Sequence, residues 1–412
     1  MEKVVAIDTR RKEKKVSLSK RSVLNVTSNI LTFVFLLSSL LTPTDNFQIK
    51  KLSFLLLMVI NVFTFLAIRY TLKNRYILFF GFTYVIFLIV MSIFVRRGAV
   101  IDVLLRGYSG FMLLLFFIVQ KQNINYEKML LICIGILAII IAVSVLLDFL
   151  NILIIWNNPL LKFLQKTDNA MLGRGGNASF YYLIFLKSSP LILILLLYAL
   201  YKRKLLIALI AFVGIFFSGT RANALVAVGA LVLYILLCEK SKPVKYVAIL
   251  GVLLVLVFFG KDIYEYLVKV FERKASSDAV RSGHMESLME LFRTKPTALI
   301  WGTGFNSPIF SKGADKIVTI LELSYWDFLR QVGLIGFIPF MFFLLYPMFA
   351  LLDTNYRWLS IAYLGFLIIS YTNPFLYGST GYCIYVYMYI VCFNKAKPIN
   401  FELDQRLRLK KL

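Results

Sequence analysis

The chain carries the segments TKPTALIWGTGF (residues 294–305) and ELSYWDFLRQVGLIGF (residues 322–337) in or beside its one long polar stretch, residues 261–330. Before and after that stretch, apolar runs of helix length alternate with short charged links. This contrast predicts a set of membrane helices with one large polar loop outside the membrane.

The composition favours a membrane protein, because 60% of the residues are hydrophobic and only 16% are charged. Runs of about 17 or more apolar residues can each cross a hydrocarbon core of ~30 Å. Backbone groups in lipid must satisfy their own hydrogen bonds, so such runs form helices. The pattern predicts an all-α fold, a polytopic membrane helical bundle with one large external loop that contains short helices.

The apolar runs predict about twelve transmembrane helices. The predicted organisation is a basic cytoplasmic tail (1–22), helices one to nine (23–260), the external loop (261–331), helices ten to twelve (332–394) and a second basic tail (395–412). The predicted spans are 24–41, 52–68, 76–95, 100–119, 129–147, 179–200, 205–218, 222–238, 246–260, 332–351, 358–373 and 378–394.

The net charge of +25 is concentrated in the tails and in short links beside the spans. Cytoplasmic links of membrane proteins carry such an excess of Lys and Arg, so nucleic acid is not an expected partner. The alternation of basic and less basic links places both termini in the cytoplasm and the 261–331 loop outside. The four cysteines lie in or beside apolar runs, without the spacing of a metal site or a disulfide framework.

A second external segment is predicted between Asp148 and Asn177. Residues 151–166 have apolar side chains at helical spacing and Trp156, which is typical of a helix that lies on the membrane surface. Residues 167–180 are rich in glycine and predict a turn before the sixth span. Arg174 lies in this turn, either as a phosphate ligand or as a solvated loop residue.

Arg221 follows Ser-Gly-Thr and precedes an apolar run. Hydroxyls, bare backbone and the positive end of a helix beside a guanidinium suit a phosphate or pyrophosphate group. The alternative is an arginine that reaches lipid headgroups.

Arg106 and Lys187 are predicted to lie within the fourth and the sixth span. Charges at such depth usually face the interior of a bundle or a watery cavity. The alternative is a span boundary displaced by one turn, which would leave both cations at the interface.

Within the large loop, residues 278–292 predict a helix that holds Arg281 and His284 one turn apart. Either side chain can be functional or merely solvated. Glu322 stands next to the tenth span, where a partly dry carboxylate can serve as a general base. Its alternative role is that of an acidic residue in the first turn of a helix.

Three short segments resemble the bacterial O-antigen polymerase and O-antigen ligase superfamily. They are SGTRANAL, which contains Arg221, the pattern from Pro296 to Phe305 that follows Arg281, and Glu322 ahead of Gly333 and Gly336. The resemblance covers the overall plan and these segments only. Ligases of the superfamily usually carry histidine where this chain has Glu322, which favours a polymerase and leaves the identity of the base open.

The resemblance implies a metal-independent glycosyltransferase in the bacterial cytoplasmic membrane that needs no cofactor. It would join undecaprenyl-diphosphate-linked oligosaccharide repeats on the outer face, for capsule, O-antigen or exopolysaccharide. Arg221 and Arg281 would bind the diphosphate. The bilayer, a flippase and a chain-length regulator are the other expected partners. The alternatives are an O-antigen-type ligase and a flippase for the same lipid-linked repeat.

Overall fold

A computed structural model describes residues 25–44, 47–68, 74–96, 99–120, 125–174, 182–239, 241–243, 245–246, 250 and 275–396. Most of these residues are helical, as the all-α prediction requires. The N-terminal tail, nearly all of the predicted ninth span and most of the C-terminal tail lie outside the described residues.

The described helices follow the predicted apolar runs in most places. They are α1 (Asn25–Leu41), α2 (Ile49–Ile68), α3 (Arg75–Arg96), α4 (Val100–Val119), α5 (Tyr126–Phe149), α6 (Pro159–Lys166), α7 (Ser189–Tyr201), α8 (Leu205–Phe216), α9 (Arg221–Leu237), α10 (Ala275–Thr294), α11 (Thr297–Trp301), α12 (Ser324–Leu352), α13 (Arg357–Ile369) and α14 (Ser379–Asn394).

Four of the described helices, α3, α4, α5 and α12, are long and apolar enough to cross a membrane. The apolar helices α1, α7, α8 and α9 have 10–17 residues each. Large side chains such as Phe94, Ile101 and Leu205 are more than 70% exposed on the outer surface, where lipid is a better neighbour than water. These features indicate a membrane protein, and the count of twelve crossings stays a prediction.

The predicted sixth span, 179–200, is not one helix. Strand β1 (Ala170–Arg174) pairs antiparallel with β2 (Tyr182–Leu186), and helix α7 begins only at Ser189. The main-chain N–H of Ile184 also donates to Phe217. Pro190 sits in the first turn of the helical segment, a position that proline favours. The periodicity of a short apolar run does not distinguish a buried strand from a helix. The hydropathy pattern therefore predicted strand β2 and helix α7 as one continuous span.

The segment predicted to lie on the membrane surface is partly helical. Helix α5 continues to Phe149, and α6 is confined to Pro159–Lys166, with Leu161 and Leu164 buried. The Gly-rich turn predicted for 167–180 contains strand β1. The all-α prediction therefore holds for the bulk of the fold and misses small two-stranded sheets.

Helix α14 lies in the centre of the described bundle, since every residue from 379 to 391 is buried. Its polar atoms have partners on several other helices. Tyr126 donates to the Cys383 carbonyl at 3.0 Å, and Tyr389 donates to the Phe343 carbonyl at 2.7 Å. A helix that is covered on all sides belongs to a core rather than to a surface.

The large loop contains α10, α11 and the hairpin of β3 (Ile309–Ser311) and β4 (Lys316–Val318). Helix α11 packs against α12, and α10 packs against α11 and β3. Helix α12 begins at Ser324, leads into the predicted tenth span and bends at Gly333, where the backbone is not helical. The first part of α12 therefore belongs to the polar loop, and the second part is the predicted tenth span.

Candidate functional site

The loop WGTGF, residues 301–305, crosses the bend of α12. Thr303 N–H donates to the Arg330 carbonyl at 2.8 Å, and Gly304 N–H donates to the Gln331 carbonyl at 2.9 Å. Gly302 and Gly333 have φ values of 77° and 64°, which glycine adopts readily. Main-chain contact at this distance leaves no space for side chains at residues 302 and 333. The two glycines therefore allow the loop to approach the backbone of α12 this closely.

A buried ion pair holds the same crossing from inside. Arg330 is fully buried and binds Asp327 Oδ1 through Nε at 3.0 Å and through NH2 at 2.7 Å. Its NH1 donates to the carbonyl and the hydroxyl of Ser307, both at 2.8 Å. Gln331 donates to the second Asp327 oxygen at 2.7 Å. A buried charge pair with this many hydrogen bonds specifies one arrangement of the loop on α12.

The loop is also tied to the link between α3 and α4. Arg96 donates to the Phe305 carbonyl at 3.0 Å and pairs with Asp102 at 3.0 Å. Asn306 donates to the Asp102 carbonyl at 3.0 Å. The crossing therefore lies at the N-terminal end of α4, the helix that carries Arg106.

Arg281 and Glu322, both predicted as site residues, are in contact. Arg281 Nε lies 3.3 Å from Glu322 Oε2, and Arg281 NH1 lies 3.1 Å from Asp278 Oδ1. The Nε–H of Arg281 makes no hydrogen bond at this distance among the described residues. The two side chains are 27% and 46% exposed. A cation and a carboxylate therefore meet at a surface that a ligand can reach.

Arg106 lines a small cavity of about 10 Å³, which has room for roughly one water. Leu321 and Ser324, which flank Glu322 in sequence, line the cavity together with Asp327 and Tyr377. The Nε of Arg106 is buried and has no hydrogen-bond partner among the residues that the structure describes. The side chain faces the protein interior, as predicted for a cation within a span.

His284 is buried and connects α10 to strand β3. Its Nδ1 lies 2.6 Å from the Ser311 hydroxyl, which accepts a hydrogen bond from Ala314 N–H at 3.1 Å. Burial lowers the pKa of His284 below 6.5, although the charges of Glu322 and Asp327 act in the opposite direction. The imidazole is therefore neutral at pH 7, and these contacts give it a role in holding the loop together.

Arg174 and Arg221 have described backbones, while their side chains lie outside the described part of the chain. Arg174 is the last residue of β1 and pairs with Tyr182. Arg221 begins α9, where the Thr220 hydroxyl caps the helix by accepting from Asn223 N–H at 3.2 Å. The predicted position of Arg221 at a helix start agrees with the structure, and its phosphate contact stays a prediction.

Lys187 does not lie within a membrane helix, contrary to the prediction. It follows β2 in a turn, where its ammonium pairs with Asp168 at 2.7 Å and its N–H donates to Asn169. The physical reason is the strand at 182–186, which displaces the helix start to Ser189. Lys187 thus belongs to the β1–β2 hairpin, and its contacts are distinct from the Arg281–Glu322 pair.

The sequence analysis singled out neither Asp327 nor Arg330. Their spacing of three residues beside an apolar span could have predicted the ion pair, because residues three apart share a helix face. Among the described residues, no group of three or more His, Cys, Asp and Glu side chains could hold a metal ion. The chain matches no protein-family model, and no curated protein matches it.

Proposed function

We propose that this protein is a polysaccharide polymerase of the bacterial cytoplasmic membrane, with about twelve crossings and both termini in the cytoplasm. It would join oligosaccharide repeats carried on undecaprenyl diphosphate at the outer face, without a metal. The proposal rests on the resemblance of three segments to O-antigen polymerases and ligases, together with the geometry around Glu322.

The observation that carries the proposal is the 3.3 Å approach of Arg281 Nε to Glu322 Oε2. A diphosphate needs cations with several N–H donors, and an acceptor hydroxyl needs a carboxylate that can take its proton. When a diphosphate binds Arg281, it competes with Glu322 for the guanidinium. The carboxylate is then released toward the acceptor, so one substrate prepares the base for the other.

The reaction balances with the residues named. Glu322 accepts the proton of the acceptor hydroxyl, whose oxygen bonds to the anomeric carbon of the growing chain. The bond from that carbon to the diphosphate breaks, and the electron pair leaves with the diphosphate. In this proposal Arg281, which approaches Glu322, stabilises that negative charge together with Arg106 and Arg221.

A ligase would use the same donor and a different acceptor. Glu322 at the position where ligases of the superfamily usually have histidine favours the polymerase. A flippase would move the lipid-linked repeat without breaking a bond. It would not need a carboxylate beside a cation in an external loop, and this loop offers that pair.

Purified protein and lipid-linked repeats in detergent test the proposal. The wild type should convert single repeats into a ladder of longer glycans, whereas Arg281→Ala and Glu322→Gln should each slow this conversion by ~100-fold or more. Arg293→Ala and Glu290→Gln are matched controls on α10, since both residues are exposed and Glu286 still pairs with Lys312 in the second variant.

The outcomes separate the three functions. A ladder that forms without any added acceptor identifies a polymerase, and a product that forms only with a different glycolipid acceptor identifies a ligase. Transfer across vesicles with no change in glycan length identifies a flippase. Full-length ladders from both site variants would refute the assignment of Arg281 and Glu322.

A further inference from the structure

A groove of about 710 Å³ runs between α5, α7 and α8. Helix α4 starts beside the loop crossing and runs away from it for a membrane-crossing length, and α5 begins shortly after α4 ends. The N-terminal end of α5, where the groove opens, therefore lies at the opposite side of the bundle from Glu322. The groove is separate from the site described above.

The walls of the groove are apolar along most of its length. Leu131, Ile136 and Ile139 of α5 face Leu195 of α7 and Ile207 of α8. From Lys128 to Ile139, α5 extends about 17 Å at ~1.5 Å per residue. This length is close to one leaflet of a hydrocarbon core that is ~30 Å thick.

Gly135 makes the groove wide at its middle. A Cβ atom added there would have one neighbour, Leu195 Cδ2, at 3.9 Å. The position is helical, and a larger residue would fit the backbone well. Open space beside an apolar wall of this length can hold a hydrocarbon chain.

The mouth of the groove is positively charged. Lys128, Lys202 and Lys204 line it and are exposed. None of the three forms an ion pair with a carboxylate of the described residues. Glu127, the one acidic residue in the lining, is engaged by the Lys395 ammonium and by the Tyr387 hydroxyl. Helices α5 and α8 also begin here and add their positive ends.

We propose that the groove binds one anionic glycerophospholipid, with its phosphate among Lys128, Lys202 and Lys204 and an acyl chain along α5 beside Gly135. A soluble phosphate would leave the apolar walls unused, and a neutral lipid would leave the three ammonium groups without a counter-charge. Only a molecule with both parts satisfies the whole groove. The inference does not depend on the glycosyltransferase activity.

The full chain in detergent, stripped of co-purifying lipid, tests the proposal by native mass spectrometry. Phosphatidylglycerol should bind with a stoichiometry of one and more tightly than phosphatidylcholine, and millimolar inorganic phosphate should not displace it. Lys128→Gln/Lys202→Gln/Lys204→Gln should weaken phosphatidylglycerol at least ~10-fold and abolish the preference for it. Gly135→Leu should weaken both lipids. Lys162→Gln/Lys166→Gln/Lys295→Gln, which removes three exposed lysines outside the groove, should bind as the wild type does.

Unchanged affinity in the lysine variant or in Gly135→Leu would overturn the proposal, as would displacement by inorganic phosphate. A photoactivatable phosphatidylglycerol on the wild-type protein gives a reading that needs no variant. Crosslinks concentrated on peptides from α5 and α8 support the groove. Crosslinks confined to other helices would reject it even if every variant failed to fold.

Discussion

Gly302 and Gly333 lie back to back where the loop crosses α12. A Cβ on Gly302 would come within 2.4 Å of the Gln331 carbonyl oxygen, and a Cβ on Gly333 would come within 2.2 Å of the Ile300 carbonyl oxygen. The obstacles are main-chain atoms, which cannot rotate away as a side chain can. Both residues also have positive φ with ψ near 180°, a region that is essentially restricted to glycine.

We expect Gly302→Ala and Gly333→Ala each to lower the free energy of unfolding by at least ~1–3 kcal/mol, because the backbone strain adds to the steric overlap. Thermal unfolding in detergent measures the effect. Gly229→Ala is the matched control, since nothing lies within 4 Å of its Cβ and the residue is inside α9. It should raise stability by ~0.5–1 kcal/mol. Equal stability of all three variants would contradict the close crossing.

The Asp327–Arg330 pair should be among the most sensitive positions for stability. Arg330→Ala leaves the Asp327 carboxylate buried and without its cation, which should cost ~3–5 kcal/mol. Asp353→Ala removes an exposed partner of Arg357 at 3.5 Å and should cost less than ~1 kcal/mol. Thermal unfolding in detergent compares the two variants. Similar losses of stability would show that burial does not determine the contribution of the Asp327–Arg330 pair.

Arg106→Gln should separate activity from stability. The variant removes a cation whose buried Nε has no hydrogen-bond partner among the described residues, so the melting temperature should stay the same or rise. Glycan elongation should fall ~100-fold if the guanidinium stabilises the departing diphosphate. Arg293→Gln on α10 should change neither quantity. A marked fall in melting temperature would instead assign Arg106 a structural role.

The stability of the loop should decrease as the pH falls below about 6.5. Burial lowers the pKa of His284 in the folded state, so between 6.5 and that lower pKa only the unfolded chain binds the proton. The unfolded state then holds more protons, and stability decreases with decreasing pH until the folded pKa is passed. His284→Asn should lack this part of the pH dependence. The difference between the two unfolding curves, measured from pH 8 to pH 5, isolates the imidazole from the carboxylates.

The sequence was most informative where residue chemistry is local. The helix start at Arg221, the helix that holds Arg281 and His284, and the inward-facing Arg106 all follow from patterns within one or two turns. The contact between Arg281 and Glu322 was not predicted, because it joins residues that are distant in the chain.

The errors come from long-range pairing. Residues 182–186 have the hydropathy of a helix, and only their pairing with 170–174 makes them a strand. The bend at Gly333 depends on backbone donors from residues 303 and 304, which no periodicity within α12 reveals. The partners of Asp327 and Arg330 include Ser307 and Thr319, so their burial could not be read from α12 alone.

The central position of α14 constrains the order of assembly during synthesis. The ribosome makes every other described helix before α14, yet those helices must leave a gap that its buried tyrosines later fill. Until then the Tyr126 hydroxyl has no Cys383 carbonyl to bind, and the Phe343 carbonyl has no Tyr389 hydroxyl. Docking of α14 therefore closes the core of the bundle that the structure describes.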